Sequence, residues 1–280
     1  MRLRFCYTKL GKIRFTSQRD VARMWERALR RMNMPVGYSE GFNPRPLLSF
    51  GLALPTGAES RAEYVDVVVD DAAWQEAGRT TDDLPSELTG LLPEGIDVVD
   101  VEVVERQSGS LQQFVTSCSW LMEFTGVTVA GMGALIDAVL AAETIMIMRE
   151  RKGRQETDDL RPSIIALGLA EGPFDQGGEA AGRGDEGSPV AVVAELATKP
   201  RGVRPVELVR AFVAVAGGAA DDQSERWATL GGAAQGTPVL HRACRTQQWI
   251  QRDDVPDEAP VPSDPARGDA GAEHVLERAS

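Results

Sequence analysis

Arginine is the residue type in this chain best placed to act on a ligand. Arg19, Arg23, Arg27, Arg30 and Arg31 recur at short intervals in TSQRDVARMWERALRRMN (16–33). A guanidinium stays charged at any physiological pH and matches phosphate oxygens with its planar fork, so a row of them suits a polyanion. Lys12 and Arg14 stand just before the row, and Asn43 and Arg45 follow it in SEGFNPRPLLS (39–49). A second basic group, RERKGR, places Arg149, Arg151, Lys152 and Arg154 around Gly153.

The net charge of −12 argues at first against nucleic acid. Its distribution reverses that reading. Residues 1–55 hold eleven Lys and Arg against three Asp and Glu, a local excess of +8 that leaves −20 for the remainder. The competing account is a solvated arginine face with no ligand. For RERKGR the competing account is a hairpin tip whose charges keep a sheet edge from pairing, with Glu156, Asp158 and Asp159 as local partners.

Catalytic constellations are scarce. Ser17 with Asp20 three residues on has the spacing of a helix cap and no base beside it. Glu63 and Asp66 in EYVD fall on opposite faces of a strand, so they do not form a carboxylate pair. GxSxG, P-loop and HExxH motifs are absent. Cys6, Cys118 and Cys244 are far apart with no CxxC, and His241 and His274 are too few for a histidine metal site. No cofactor or metal is expected, and catalysis by this chain alone is the weaker reading.

The elements that must position these groups follow a repeated plan. RLRFCYTK alternates and predicts a strand with Leu3, Phe5 and Tyr7 inward, and Ile13-Arg14-Phe15 is expected to extend again. A helix follows, capped by Ser17, with Val21, Met24, Trp25, Ala28, Leu29 and Met32 on one face and Pro35 as its stop. LLSFGLALP, EYVDVVV (63–69) and IDVVDVEVVE (96–105) predict strands, with a short helix across 81–92. The order β-α-β-β-α-β is the ferredoxin-like split βαβ arrangement.

A second unit repeats the plan in degenerate form. Its expected strands are SCSWLMEFTG, TIMIMRERK, DLRPSIIALGLA, VAVVAELAT and VLHRACRTQQWIQ, and its helices are MGALIDAVLAA and PVELVRAFVAVA with Pro205 in the first turn. The fold class is therefore α+β, two ferredoxin-like (βαββαβ) units in tandem, assigned to 1–107 and 114–252. Segments 171–188 and 217–236 are Gly, Ala and Asp rich and read as flexible loops, and 253–280 reads as a disordered acidic tail.

In the SEGFNPRP loop, Pro44 and Pro46 fix φ and push their neighbours to extended conformations, and Gly41 permits close approach. A stiff loop suits presentation of Asn43 and Arg45 to a partner. A turn that merely orders the next strand is the alternative.

The run FTSQRDVARMWERALRRMNMPVGYSEGFNPRPLLSFGLALPTGAES resembles the radical SAM-associated family, a domain of unknown function found alone or fused behind a cobalamin-binding radical SAM protein. The matching features are Phe15-x-Ser17, the ERALRR helix, the GFNPxP loop, LSFxLxLPxG and Glu63-Tyr64-x-Asp66. RERKGR with DLRP (159–162) resembles a second block, and Arg245-Thr246-x-Gln248 the family's closing segment. The loop departs from the family pattern at Arg45, where a His is expected, and at Leu47, where a basic residue is expected. With no CxxxCxxC in the chain, the resemblance implies a radical SAM enzyme on a separate polypeptide as partner.

The reading that joins these observations is a non-catalytic, cytoplasmic accessory module presenting a basic surface to RNA or another polyanion. Its contact residues would be Lys12, Arg14, Arg19, Arg23, Arg27, Arg30, Asn43 and Arg45, with Arg149, Arg151, Lys152 and Arg154. The rivals are a protein-interaction subunit docking on an acidic partner, and an RNA-processing enzyme by analogy with the duplicated fold of CRISPR repeat endonucleases. No apolar run reaches the ~18 residues a membrane span needs. The sequence leaves the oligomeric state open.

Overall fold

The computed structural model describes residues 1–104, 110–151, 153–171, 189–217 and 237–251. The expectations for the flexible loops (Glu171 and Gly217 apart), for the acidic tail and for Lys152 fall outside these residues. The chain forms two compact units, Met1–Thr116 with Cys244–Gln251, and Ser117–Ala243.

In the first unit, strand β1 (Arg2–Lys9), helix α1 (Gln18–Arg31), strands β2 (Leu48–Phe50) and β3 (Glu59–Val68), helices α2 (Asp71–Glu76) and α3 (Leu84–Thr89), strand β4 (Val98–Val104) and helix α4 (Leu111–Phe114) follow in order. The sheet runs β4-β1-β3-β2, and each of these pairs is antiparallel. This is the ferredoxin-like strand order. Alternation puts Leu3, Phe5 and Tyr7 of β1 inward, where they meet Val21, Trp25, Ala28 and Leu29 of α1. The Trp25 ring centroid lies 5.5 Å from that of Phe5 and 5.1 Å from that of Tyr7, edge-on to the tyrosine.

Three local expectations are corrected. Residues Gly11–Phe15 form a 3₁₀ turn, not an extended segment. Gly11 takes a positive φ of 68°, its N–H is held by Glu59, and Thr16 closes onto the Ile13 carbonyl. Only Leu48–Phe50 of LLSFGLALP is strand, and it is half-buried. Beyond it the Gly51 N–H still donates to the Tyr64 carbonyl, and the Leu52 backbone is met by side chains. The Leu52 N–H donates to Gln248 Oε1 at 2.9 Å, and the Leu52 carbonyl accepts from Arg245 at 2.6 Å. β3 starts four residues earlier than EYVDVVV and is buried on both faces almost throughout. α2, with Asp70 as its cap and Trp74 buried, was not anticipated.

The second unit holds most of β5 (Val115–Thr125), then α5 (Val129–Ala141), β6 (Met146–Arg151), β7 (Arg154–Asp159), β8 (Ile164–Leu169), β9 (Val190–Ala197), α6 (Pro205–Val215) and the start of β10 (Val239–Ile250). Its order is β10-β5-β9-β8, the same ferredoxin-like sequence of strands. Phe124 of β5 and Phe212 of α6 meet edge-on at 5.6 Å within its core. The expected copy is thus present, with one correction. TIMIMRERK does not join the sheet. It pairs with RQETDD as a separate hairpin, β6–β7, inserted between α5 and β8, and Arg161–Ser163 form a 3₁₀ turn. RQETDD has no apolar residue, so it shows no strand period.

The last seven residues of β10, with Gln251, belong to the first unit, where Cys244 and Arg245 run parallel to Glu59 and Ser60 of β3. They occupy the β3 edge that the short β2 leaves open. Among the described residues no helix is long and apolar enough to cross a membrane.

Candidate nucleic-acid interface

The Ser17 hydroxyl accepts the Asp20 N–H at 3.2 Å, which sets the start and rotation of α1. At ~100° per residue, Arg19, Arg23, Arg27, Arg30 and Arg31 fall within an arc of ~120° centred opposite the buried face. All five are exposed. Arg23 pairs with Asp20 at 3.2 Å, while the side chains of Arg19, Arg27, Arg30 and Arg31 make no hydrogen bond or ion pair with any described residue. Their charge is offered to solvent.

The remaining N-terminal cations divide differently. Arg4 is buried and bonds both oxygens of Asp66, at 2.8 and 3.1 Å, with Arg2 alongside. Lys9 is buried and donates to the Thr16 carbonyl at 2.8 Å, and burial lowers its pKa. Arg14 reaches Glu59 at 3.2 Å and lies 4.9 Å from the centroid of the exposed Phe15 ring. Lys12 is exposed. Five of the eleven positive charges of residues 1–55, Arg23 included, are therefore engaged within the unit, and the arginine row on α1 dominates its exposed charge.

The loop after α1 is a closed, stapled structure. Tyr38 and Pro46 form an antiparallel bridge, the Ser39 N–H donates to the Arg45 carbonyl at 2.9 Å, and the Arg45 N–H donates to Ser39 Oγ at 3.1 Å. Asn43 and Arg45 are exposed, as presentation requires. The tip residue the sequence reading passed over is Phe42, whose side chain is fully exposed, with Tyr38 and Leu47 partly exposed below it. Its signal was available, since Gly41 and Pro44 flank an aromatic in a stretch with no hydrophobic period.

α1 joins two ends of this unit. Its first turn sits at the Lys9 end of β1, where Lys12, Arg14 and Phe15 lie. After its last turn, Asn33 takes a positive φ of 51° and Val36 bridges Val69. That returns the chain to the opposite end of the sheet, where Asn43 and Arg45 stand. Fourteen residues of helix separate the two groups by about 21 Å.

The 149–154 hairpin belongs to the second unit. Gly153 turns it with φ 75°, and Arg151 pairs in register with Arg154, which is exposed. Arg149 faces inward instead. It bonds Asp158 and, at 3.0 Å, Glu156, while Arg201 joins Asp158 at 2.9 Å to the buried Glu207 at 3.0 Å. The local pairing weighed for RERKGR therefore occurs at Arg149, and Lys152 lies outside the described residues.

The buried polar groups of the first unit are structural in geometry. Arg245 is fully buried, places Nη2 2.6 Å and Nε 3.1 Å from Glu63 Oε1, and reaches the Leu52 carbonyl. Gln248 spans the Leu52 N–H and the Ala62 carbonyl. Arg245 and Gln248, noted in the sequence only as part of a closing segment, thus fasten the end of β10 to the first unit. Asp66 faces Arg4 and Arg2 while Glu63 faces Arg245, so the two carboxylates stand apart as their spacing predicts. Burial pushes the Cys6 thiol up to about 11, far from a nucleophile's range. Among the described residues no group of three or more His, Cys, Asp or Glu is disposed to hold a metal.

Two ferredoxin-like units, the first with an exposed arginine face on α1, define the α+β class of this chain. A family model described as an uncharacterized protein conserved in bacteria, DUF2344, matches residues 2–195, and the chain belongs to that family. No curated protein matches the sequence. Among solved structures, a chain of "Crystal Structure of a Cbf5-Nop10-Gar1 Complex" is similar at 10% identity with a TM-score of 0.42. The match covers 89% of this chain and 50% of that one, so this chain spans about half its length.

Proposed function

We propose that this protein is a non-catalytic RNA-binding module that serves a separate radical SAM enzyme in the cytoplasm. The observation that carries the RNA part is the α1 face. Four of its five arginines have no partner among the described residues, in a chain whose net charge is −12. A concentrated row of unpaired cations on one helix face is the electrostatic footprint of a polyanion site. Arg19, Arg23, Arg27 and Arg30 form the centre of the surface, with Lys12 and Arg14 at one end and Asn43 and Arg45 at the other. Arg151, Lys152 and Arg154 of the RERKGR run supply a separate contact, and Arg149 braces β6 against β7 through Glu156 and Asp158. The radical SAM partner rests on the sequence resemblance of the first 70 residues and of the RERKGR and Arg245 blocks.

Ultraviolet crosslinking of the full chain to a synthetic RNA, followed by peptide mapping, tests this reading. Crosslinked peptides are expected from residues 12–31 and 38–47, and competition by excess unlabelled RNA should remove them. Crosslinks confined to other segments, or none, would overturn it.

A further inference from the structure

We infer that Phe42 is a base-stacking residue, so that the RNA surface takes an unpaired nucleotide at the loop tip. The inference rests on the RNA reading above and goes further in naming the single-stranded class of substrate. Phe42 is 104% exposed relative to an extended chain and sits beyond the closure made by Ser39 and Arg45. A phenylalanine so placed buries nothing and adds nothing to the stability of this unit. The backbone nevertheless holds it out firmly. Gly41 adopts a φ of 123° with no atom within 4 Å of where a Cβ would stand, so its glycine serves the turn and not a close contact. Pro44 and Pro46 stiffen the return path, and the Tyr38–Pro46 bridge closes the base.

The charge of the loop points the same way. It carries Glu40 and Arg45, one of each sign, so the tip adds no net positive field of its own. At the loop's root the carboxylates are Asp70, which caps α2, and Asp71, which pairs with the amino terminus. Arg79 is tied to the Met32 carbonyl and Glu87. Attraction must therefore come from the α1 arginines, whose last turn, with Arg30 and Arg31, lies at the loop's end of the sheet. The tip contributes an aromatic face, with the half-exposed Tyr38 beneath it. Cationic residues that track a backbone, beside an aromatic that accepts any base, are the working parts of single-strand binding. A duplex offers no free base face to such a tip, whereas a loop, bulge or single strand does.

The test uses the full chain with a fluorescein-labelled single-stranded RNA, and with the same RNA annealed to its complement, at several salt concentrations. Phe42→Ala is expected to weaken single-strand binding by about 10- to 100-fold, the usual effect of losing one stacked base. Duplex binding and the slope of affinity against salt should stay as in the wild type, because no phosphate contact is lost. Phe42→Tyr should restore single-strand affinity, and every variant should melt with the wild type, since the side chain touches nothing. If wild type binds the single strand and Phe42→Ala binds it equally well, the stacking role is overturned while the arginine surface stands. If wild type binds neither RNA, the RNA reading falls and the stacking role with it.

Discussion

Replacing Arg245 by Met is expected to cost about 3–5 kcal/mol of stability, the usual effect of removing one partner of a buried ion pair. Arg245 has no exposed surface, and its guanidinium carries two bonds to Glu63 and one to the Leu52 carbonyl. The shortened pair leaves a buried carboxylate and a buried carbonyl without their donor. Its consequence extends beyond one contact, because this residue and Gln248 together satisfy the carbonyl and the N–H of Leu52. Adding Glu63→Leu to Arg245→Met should recover much of the loss, since an apolar pair in place of a buried ion pair is often close to neutral. Urea unfolding of both variants checks the expectation. A loss below ~1 kcal/mol in the single variant would place the pair among contacts of surface strength.

Trp25→Ala should destabilise the first unit by ~3–5 kcal/mol, as for other large aromatics cut out of a core. Trp25 is fully buried at the middle of the α1 stripe, against Phe5 and Tyr7 from β1. Alanine would leave a void beneath the helix that bears the arginines, and neither a helix nor a central strand can shift far enough to close it. Trp25→Phe should cost less, because the indole nitrogen has no hydrogen-bond partner to lose and only part of the volume goes. Thermal and chemical unfolding distinguish the two. A Trp25→Ala protein as stable as wild type would contradict the packing of α1 described above.

How legible these features are in the sequence depends on the range of the forces that create them. α1 was readable from its cap at Ser17, its apolar stripe and its stop at Pro35, all local signals. Leu3, Phe5 and Tyr7 were readable from alternation. The fate of LLSFGLALP was not, because the groups that satisfy Leu52 come from Arg245 and Gln248, close to two hundred residues away. β7 was missed for the opposite reason. RQETDD is held as a strand by pairing and by Arg149, not by any buried face of its own. The basic excess of residues 1–55 was legible as a sum, yet only the fold separates Arg2, Arg4, Lys9 and Arg14, which have internal partners, from the row that faces solvent.

The same separation reaches the candidate surface. Lys12 and Arg14 lie about one helix length from Asn43 and Arg45, so a ligand touching both groups must run along α1. Phe42 was overlooked because a sequence pattern ranks aromatic residues by burial, and this one has none.

The central claim is that the α1 arginines neutralise phosphates, and one measurement addresses it directly. Wild type and an Arg19→Gln, Arg27→Gln, Arg30→Gln variant are titrated against single-stranded RNA by fluorescence anisotropy at several salt concentrations, with a thermal melt of each. These three residues have no partner among the described residues, so the melts should coincide. The variant should bind more weakly, and its slope of log K against log salt should be flatter by roughly 2–3 units, about 0.7–0.9 for each phosphate contact removed. Equal affinity and equal slope, with coincident melts, would contradict the account and show that the arginine face is not where RNA binds.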